Sequence, residues 1–226
     1  MSETIVKVEK LTRRLPGEVP ITLVNQVNLD VYKGELLAIT GPSGSGKSSL
    51  LYLLGLLDTP TQGTVWMEGN NVSGYSQNQL ADIRLHKLGF VFQFHYLLPE
   101  FTALENVMLP MQRLGQLSRQ AITVRALELL SDLGLEEQCH KLPKQLSGGQ
   151  SQRIAIARAL ANDPVLILAD EPTGNLDTAS SQNVQTILQT MVHQFQRTVV
   201  VVTHDNDFAE TADRRVVLID GKLQSS

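Results

Sequence analysis

The chain has 226 residues, 42% of them hydrophobic, enough for one large α/β domain or a domain with a subdomain, and no linker is required. A formal net charge of -4 argues against general nucleic-acid binding, which usually brings a basic balance or stripe, and no nucleic-acid partner is expected. The only cysteine, Cys139, excludes an intramolecular disulfide and suits a reducing cytosol, and its neighbour His140 has no second ligand pair at zinc-finger spacing. Met1-Ser2-Glu3-Thr4 lacks the layout of a signal peptide, and the densest apolar run, residues 50–57, is too short for a membrane span and is broken by Gly55. The expectation is a soluble chain.

In chain order, residues 5–8, 21–24 and 27–31 are short segments rich in β-branched side chains and predict an antiparallel sheet. Residues 36–40 read as a buried strand and 48–54 as an apolar helix. Between them Gly41, Pro42, Ser43, Gly44, Ser45, Gly46, Lys47, Ser48 and Ser49 match G-x-x-x-x-G-K-[ST]. Such a loop curls so that its N–H groups and the positive end of the following helix face a triphosphate. Lys47 then supplies a point charge to the outer phosphates and Ser48 a hard oxygen ligand to magnesium. Taken alone, the loop fits a kinase, a GTPase or an ATPase.

Residues 63–70 read as a strand ended by a turn at Gly69-Asn70, with Trp66 as sheet packing, and 89–93 as a further strand. The apolar, proline-marked segment 94–110 is expected to leave the core. Ile122, Leu127, Leu130 and Leu133 predict a helix that Ser118 caps and Gly134 stops. Residues 146–150 open a second helix over 152–162, which Pro164 ends. Residues 165–169 and 198–203 are continuously apolar, the pattern of parallel strands covered on both faces. Val184, Ile187, Leu188, Met191 and Phe195 line one helix face, and 215–223 predicts a strand with a tight turn.

Asp170 and Glu171 close the first covered strand, where ligands bind in open parallel sheets. Asp170 suits magnesium, and Glu171 suits polarising a water for in-line attack on the γ-phosphorus. His204 follows the strand expected beside them, and Gln93 ends another with an amide for the metal or a water. Ser147-Gly148-Gly149-Gln150 at a helix start forms a second anion site. One nucleotide does not need two such sites. A two-fold dimer resolves this, each copy closing over the nucleotide in the other's loop.

Residues 41–49, Gln93, Leu146 to Gln150, Leu168-Ala169-Asp170-Glu171-Pro172, Asn175-Leu176-Asp177 and His204, in this order, resemble the ATP-binding subunit of ABC transporters across essentially the whole chain. The resemblance implies an ATPase using ATP and Mg2+, built as a RecA-like P-loop α/β core with an N-terminal antiparallel β-subdomain. It also implies one domain over 1–226, with 1–93 and 159–226 forming the β-subdomain and core and an inserted α-helical subdomain over 94–158 meeting the membrane partner. Glu171 would be the catalytic base, His204 the γ-phosphate sensor, Gln93 the flexible joint and metal ligand, and Ser48 and Asp170 the other metal ligands. Ser147, Gly148, Gly149 and Gln150 would contact ATP in trans in a head-to-tail homodimer, and Asp177 would link the two sites.

The stretch 93–107 is similar to the lipoprotein-releasing Lol-type ATPases, and 168–177 to the wider group that includes macrolide-exporter and FtsE-type ATPases. That group implies integral membrane permease subunits and work at the cytoplasmic face of the bacterial inner membrane, with ATP-driven closure transmitted mechanically. The alternative is an FtsE-like regulator that docks on a membrane protein without moving cargo. Two features depart from the pattern. Leu15 stands where an aromatic residue usually stacks on adenine, which predicts weaker ATP binding or looser base selectivity, and Gln150-Ser151-Gln152-Arg153 replaces the expected Glu-Arg-Gln-Arg.

Overall fold

The computed structural model describes residues 3–224. Met1 and Ser2, part of the stretch read for a signal peptide, lie outside the described residues. Two sheets carry the fold. The first is antiparallel, in the order β2-β1-β4-β5, with β1 (Thr4–Leu15), β2 (Ile21–Tyr32), β4 (Gln62–Met67) and β5 (Asn70–Asn71). The short segments expected at 5–8, 21–24 and 27–31 are two continuous strands, because irregularities absorb the residues that break their alternation. Lys10 and Gln26 take left-handed φ of 49° and 50°. The amides this frees donate to Asn28 Oδ1 at 2.9 Å and Thr12 Oγ1 at 3.1 Å, so pairing continues past each bulge. The turn after β4 falls on Glu68-Gly69, φ 46° and 76°, one residue earlier than the sequence suggests.

The second sheet runs β10-β9-β3-β8-β7-β6. Its members are β3 (Leu36–Thr40), β6 (Leu88–Phe92), β7 (Leu166–Asp170), β8 (Thr198–Val202), β9 (Arg214–Ile219) and β10 (Lys222–Leu223). All but β10 are parallel. Every residue of β3, β7 and β8 is buried, which is why their sequences are apolar runs instead of alternations.

Three hydrophobic clusters hold the layers. The first joins the antiparallel sheet, through residues such as Val6 and Leu11, to one face of the parallel sheet and to α1 (Lys47–Leu54). Leu50, Leu53 and Leu54 are fully buried there, each contributing about 1.5–3 kcal/mol. The second covers the opposite face with α5 (Gly148–Leu160), α6 (Thr178–His193) and α7 (Asn206–Glu210). The third contains no strand residue and is built mainly by helices: Val107 and Met111 of α3 (Ala103–Leu114), Ile122 and Leu130 of α4 (Arg119–Asp132), and Ile154 and Ala157 of α5. Because Ile156 belongs to the second cluster, α5 is packed into both.

Several elements differ from expectation. A helix, α2 (Gln77–Lys87), stands where none was read; it buries only Leu80, so it shows no apolar stripe. Segment 94–110 is not simply an excursion, since its second half is α3, which contains Pro110. Fully buried Asn106 folds the preceding loop, accepting from Leu98 N at 2.8 Å and donating to the carbonyls of Leu98, Phe101 and Thr102. α5 begins at Gly148, four residues before the predicted start. Phe195 lies beyond the end of α6 and is exposed instead of lining its face. Among the described residues, no helix is long and apolar enough to cross a membrane.

Candidate nucleotide site

Parallel pairing of β3, β6, β7 and β8 brings their carboxyl ends to one edge, so residues 41–49, Gln93, Asp170, Glu171 and His204 emerge together. The loop is shaped by tight packing. Gly46 has φ 97°, and a Cβ there would sit 2.0 Å from the Leu23 carbonyl oxygen, so no other residue fits. As the N-cap of α1 it offers no side-chain acceptor, which leaves the first amides of the helix open to an anion. Lys47 Nζ donates to the carbonyls of Gly41 and Pro42, both at 3.0 Å. Ser45 is buried with its hydroxyl unpartnered, Ser43 and Gly44 are exposed, and Ser49 is partly buried in the first turn of α1.

Asp170 is buried at the end of β7, and each of its oxygens has one donor. Ser48 Oγ donates to Oδ1 and Tyr52 Oη to Oδ2, both at 2.8 Å. Burial, then the bond to Asp170, pushes the Tyr52 hydroxyl up to about 12, so the phenol keeps its proton as donor. Glu171 extends the strand by one bond, its N–H donating to the Val202 carbonyl at 2.9 Å, while its φ of 46° is uncommon for a residue with a side chain. That turn aims the carboxylate at His204, whose Nδ1 lies 2.7 Å from Oε2 and whose backbone N–H donates to the same oxygen at 3.3 Å. Glu171 is mostly covered and His204 mostly exposed, so the pair spans the boundary between protein and solvent.

Gln93 is bonded to neither Ser48 nor Asp170. Its Nε2 donates to Asn175 Oδ1 at 3.1 Å, and Asn175 Nδ2 returns a bond to the Gln93 carbonyl at 3.4 Å. Fully buried Gln152 is a link that sequence reasoning missed. From α5 its Nε2 donates to the carbonyls of Phe92 at 3.2 Å and Pro172 at 2.7 Å, tying together the residues just before Gln93 and just after Glu171.

The Ser147–Gln150 turn is built separately. Ser147 caps α5, its hydroxyl accepting from Gln150 N at 3.2 Å while Gln150 Oε1 accepts from Ser147 N at 2.9 Å. A Cβ on Gly149 would lie 2.5 Å from Ser180 Oγ, so glycine is what lets α5 and α6 meet; Gly148 rests against Leu176. Asp177 caps α6, accepting from Ser180 N at 2.9 Å and Ser180 Oγ at 2.7 Å, and the Ser180 bonds hold its carboxyl below the usual range. Among the described residues, no hydrogen bond joins 147–150 to 41–49.

Comparison with known proteins identifies the family. The family model described as ABC transporter matches residues 24–174. The lipoprotein-releasing system ATP-binding protein LolD 1 of Chlorobium chlorochromatii is 47% identical over 225 residues, covering 99% of this chain and 92% of the relative. LolD of Shewanella frigidimarina is 51% identical over 208 residues, 92% of this chain and 87% of its own. The macrolide export ATP-binding/permease protein MacB of Vibrio parahaemolyticus is 46% identical across 99% of this chain, which spans 34% of that protein. Among solved structures, the ATP-binding cassette MJ0796, a dimer in a post-hydrolysis state bound to ADP and Pi, superposes with a TM-score of 0.91 at 43% identity, covering 98% of this chain and 97% of that one. With its phosphate loop, its strand-end acids and this near full-length similarity, the chain belongs to the ABC transporter ATP-binding family.

Proposed function

We propose that this protein is the ATP-hydrolysing subunit of a membrane ABC transporter and drives permease subunits in lipoprotein release; its LolD relatives are named as ATP-binding proteins of lipoprotein-releasing systems. It works as a homodimer at the cytoplasmic face of the bacterial inner membrane. The observation that carries the reading is the convergence of Ser48, Asp170, Glu171 and His204 at the mouth of the phosphate loop. The donor set fits magnesium: a serine hydroxyl and a carboxylate oxygen 2.8 Å apart are hard ligands, and the ion's remaining positions would go to phosphate and water. No cluster of three or more acidic, histidine or cysteine side chains among the described residues would hold a metal alone. When bound, Mg2+ supplies charge neutralisation at the phosphates.

The residues divide the work. The loop's amides and Lys47 bind the phosphates, Lys47 exchanging its bonds to Gly41 and Pro42 for phosphate oxygens. Glu171 takes a proton from the attacking water as its oxygen bonds to the γ-phosphorus and the bond to the ADP oxygen breaks. His204 orients the Glu171 carboxylate and contacts the γ-phosphate. Gln93 reports metal and nucleotide to the helical unit, 94–158, whose own apolar cluster is joined to the core through α5. The amides and hydroxyl of Ser147 to Gln150 complete the nucleotide site of the second copy, and Asp177 links the two sites. Glu171→Gln tests this directly: hydrolysis should fall by roughly 10² to 10⁴ while ATP still binds and the dimer accumulates. Normal turnover in that variant would refute the assignment.

A further inference from the structure

We propose that Tyr52 is a positioning residue for the metal-holding carboxylate, fixing Asp170 so that the oxygen shared with Ser48 faces magnesium. The inference rests on reading Ser48 and Asp170 as the metal ligands. Tyr52 stands four residues after Ser48 on α1, so both hydroxyls lie on one helix face, stacked one turn apart. Each takes one oxygen of Asp170 at 2.8 Å, Ser48 on Oδ1 and Tyr52 on Oδ2. Two donors on opposite oxygens stop the carboxylate from rotating about its own axis. Without Tyr52, Oδ2 of a buried aspartate loses its donor, and the group gains by turning that oxygen towards Ser48 or water.

The phenol ring is itself held. It meets Phe92 edge to face, centroids 6.3 Å apart and planes at 70°, and Phe92 stacks on Phe90 at 6.0 Å and meets Tyr96 at 5.4 Å. Because Phe92 ends β6 immediately before Gln93, one aromatic row sets both the ring plane and the start of the Gln93 segment.

The test is Mn2+ binding, followed by electron paramagnetic resonance, to the intact protein carrying a non-hydrolysable ATP analogue. Tyr52→Phe keeps the ring and removes only the hydroxyl; it should raise the Mn2+ Kd by about 3- to 10-fold, the range for one lost hydrogen bond. Affinity for the analogue without metal should stay at the wild-type value, a pattern that general loosening of the fold would not give. Asp170→Asn is measured alongside and should weaken Mn2+ further. If Asp170→Asn weakens Mn2+ while Tyr52→Phe matches wild type, the role of Tyr52 is overturned and the metal site stands. If Asp170→Asn also matches wild type, the metal-site reading itself has failed.

Discussion

The phosphate loop and the Ser147–Gln150 turn are both helix N-termini that can take an anion, yet they are finished differently. The first has an uncapped helix, a hydroxyl without a partner at Ser45, and a lysine resting on carbonyls until phosphate replaces them. Around it stand Asp170, Glu171 and His204 from neighbouring strands. The second is capped by its own serine and glutamine and has no catalytic side chain bonded to it. On the proposed reading one end holds and reacts and the other only closes: a single copy would contain half of each of two sites, and pairing copies head to tail would make either whole.

After Glu171→Gln, the largest expected effect on this contrast comes from Lys47→Ala. It removes charge from the phosphates in the bound state as well as during reaction, so ATP affinity should fall by roughly 10- to 100-fold, the range for a lost charged hydrogen bond. Isothermal titration of ATP checks it, and unchanged affinity would show that the loop is not the holding end. A smaller effect is expected from Leu15→Tyr. Leu15 ends β1, paired with Ile21 and exposed, and on the proposed reading it would give adenine apolar contact only. An aromatic ring adds about 1 kcal/mol of stacking, about 5-fold in affinity, and titration with ATP against GTP reads both strength and selectivity.

Much of this was legible in the sequence because the physics was local. The phosphate loop, the acids closing 165–169 and the covered strands follow from spacing and apolar runs, and the neighbouring strands β7 and β8 do bring His204 to Glu171. The missed helices were legible by another signal: Ser76 with Gln79 and Thr102 with Glu105 form capping boxes, and Gly115 ends α3 with φ 70°. α2 escaped because its polar surface hides its periodicity, and α3 because Pro110 reads as a break. Tyr52 and Gln152 were not legible, since a polar side chain's partner from another strand is settled only by the tertiary fold. Tyr52 reads as one apolar helix residue among leucines until Asp170 is beside it.

On the proposed reading the 147–150 turn closes over a nucleotide held by another copy. Aspartate caps a helix as well as serine does, so Ser147→Asp should preserve α5 while placing a negative charge against the phosphates. The measurement is the ATP-dependent dimer fraction, by light scattering, of Glu171→Gln with and without Ser147→Asp. Glu171→Gln should dimerise with ATP, whereas the double variant should stay monomeric with unchanged melting temperature and unchanged ATP affinity; a double variant that dimerises as fully would overturn closure in trans.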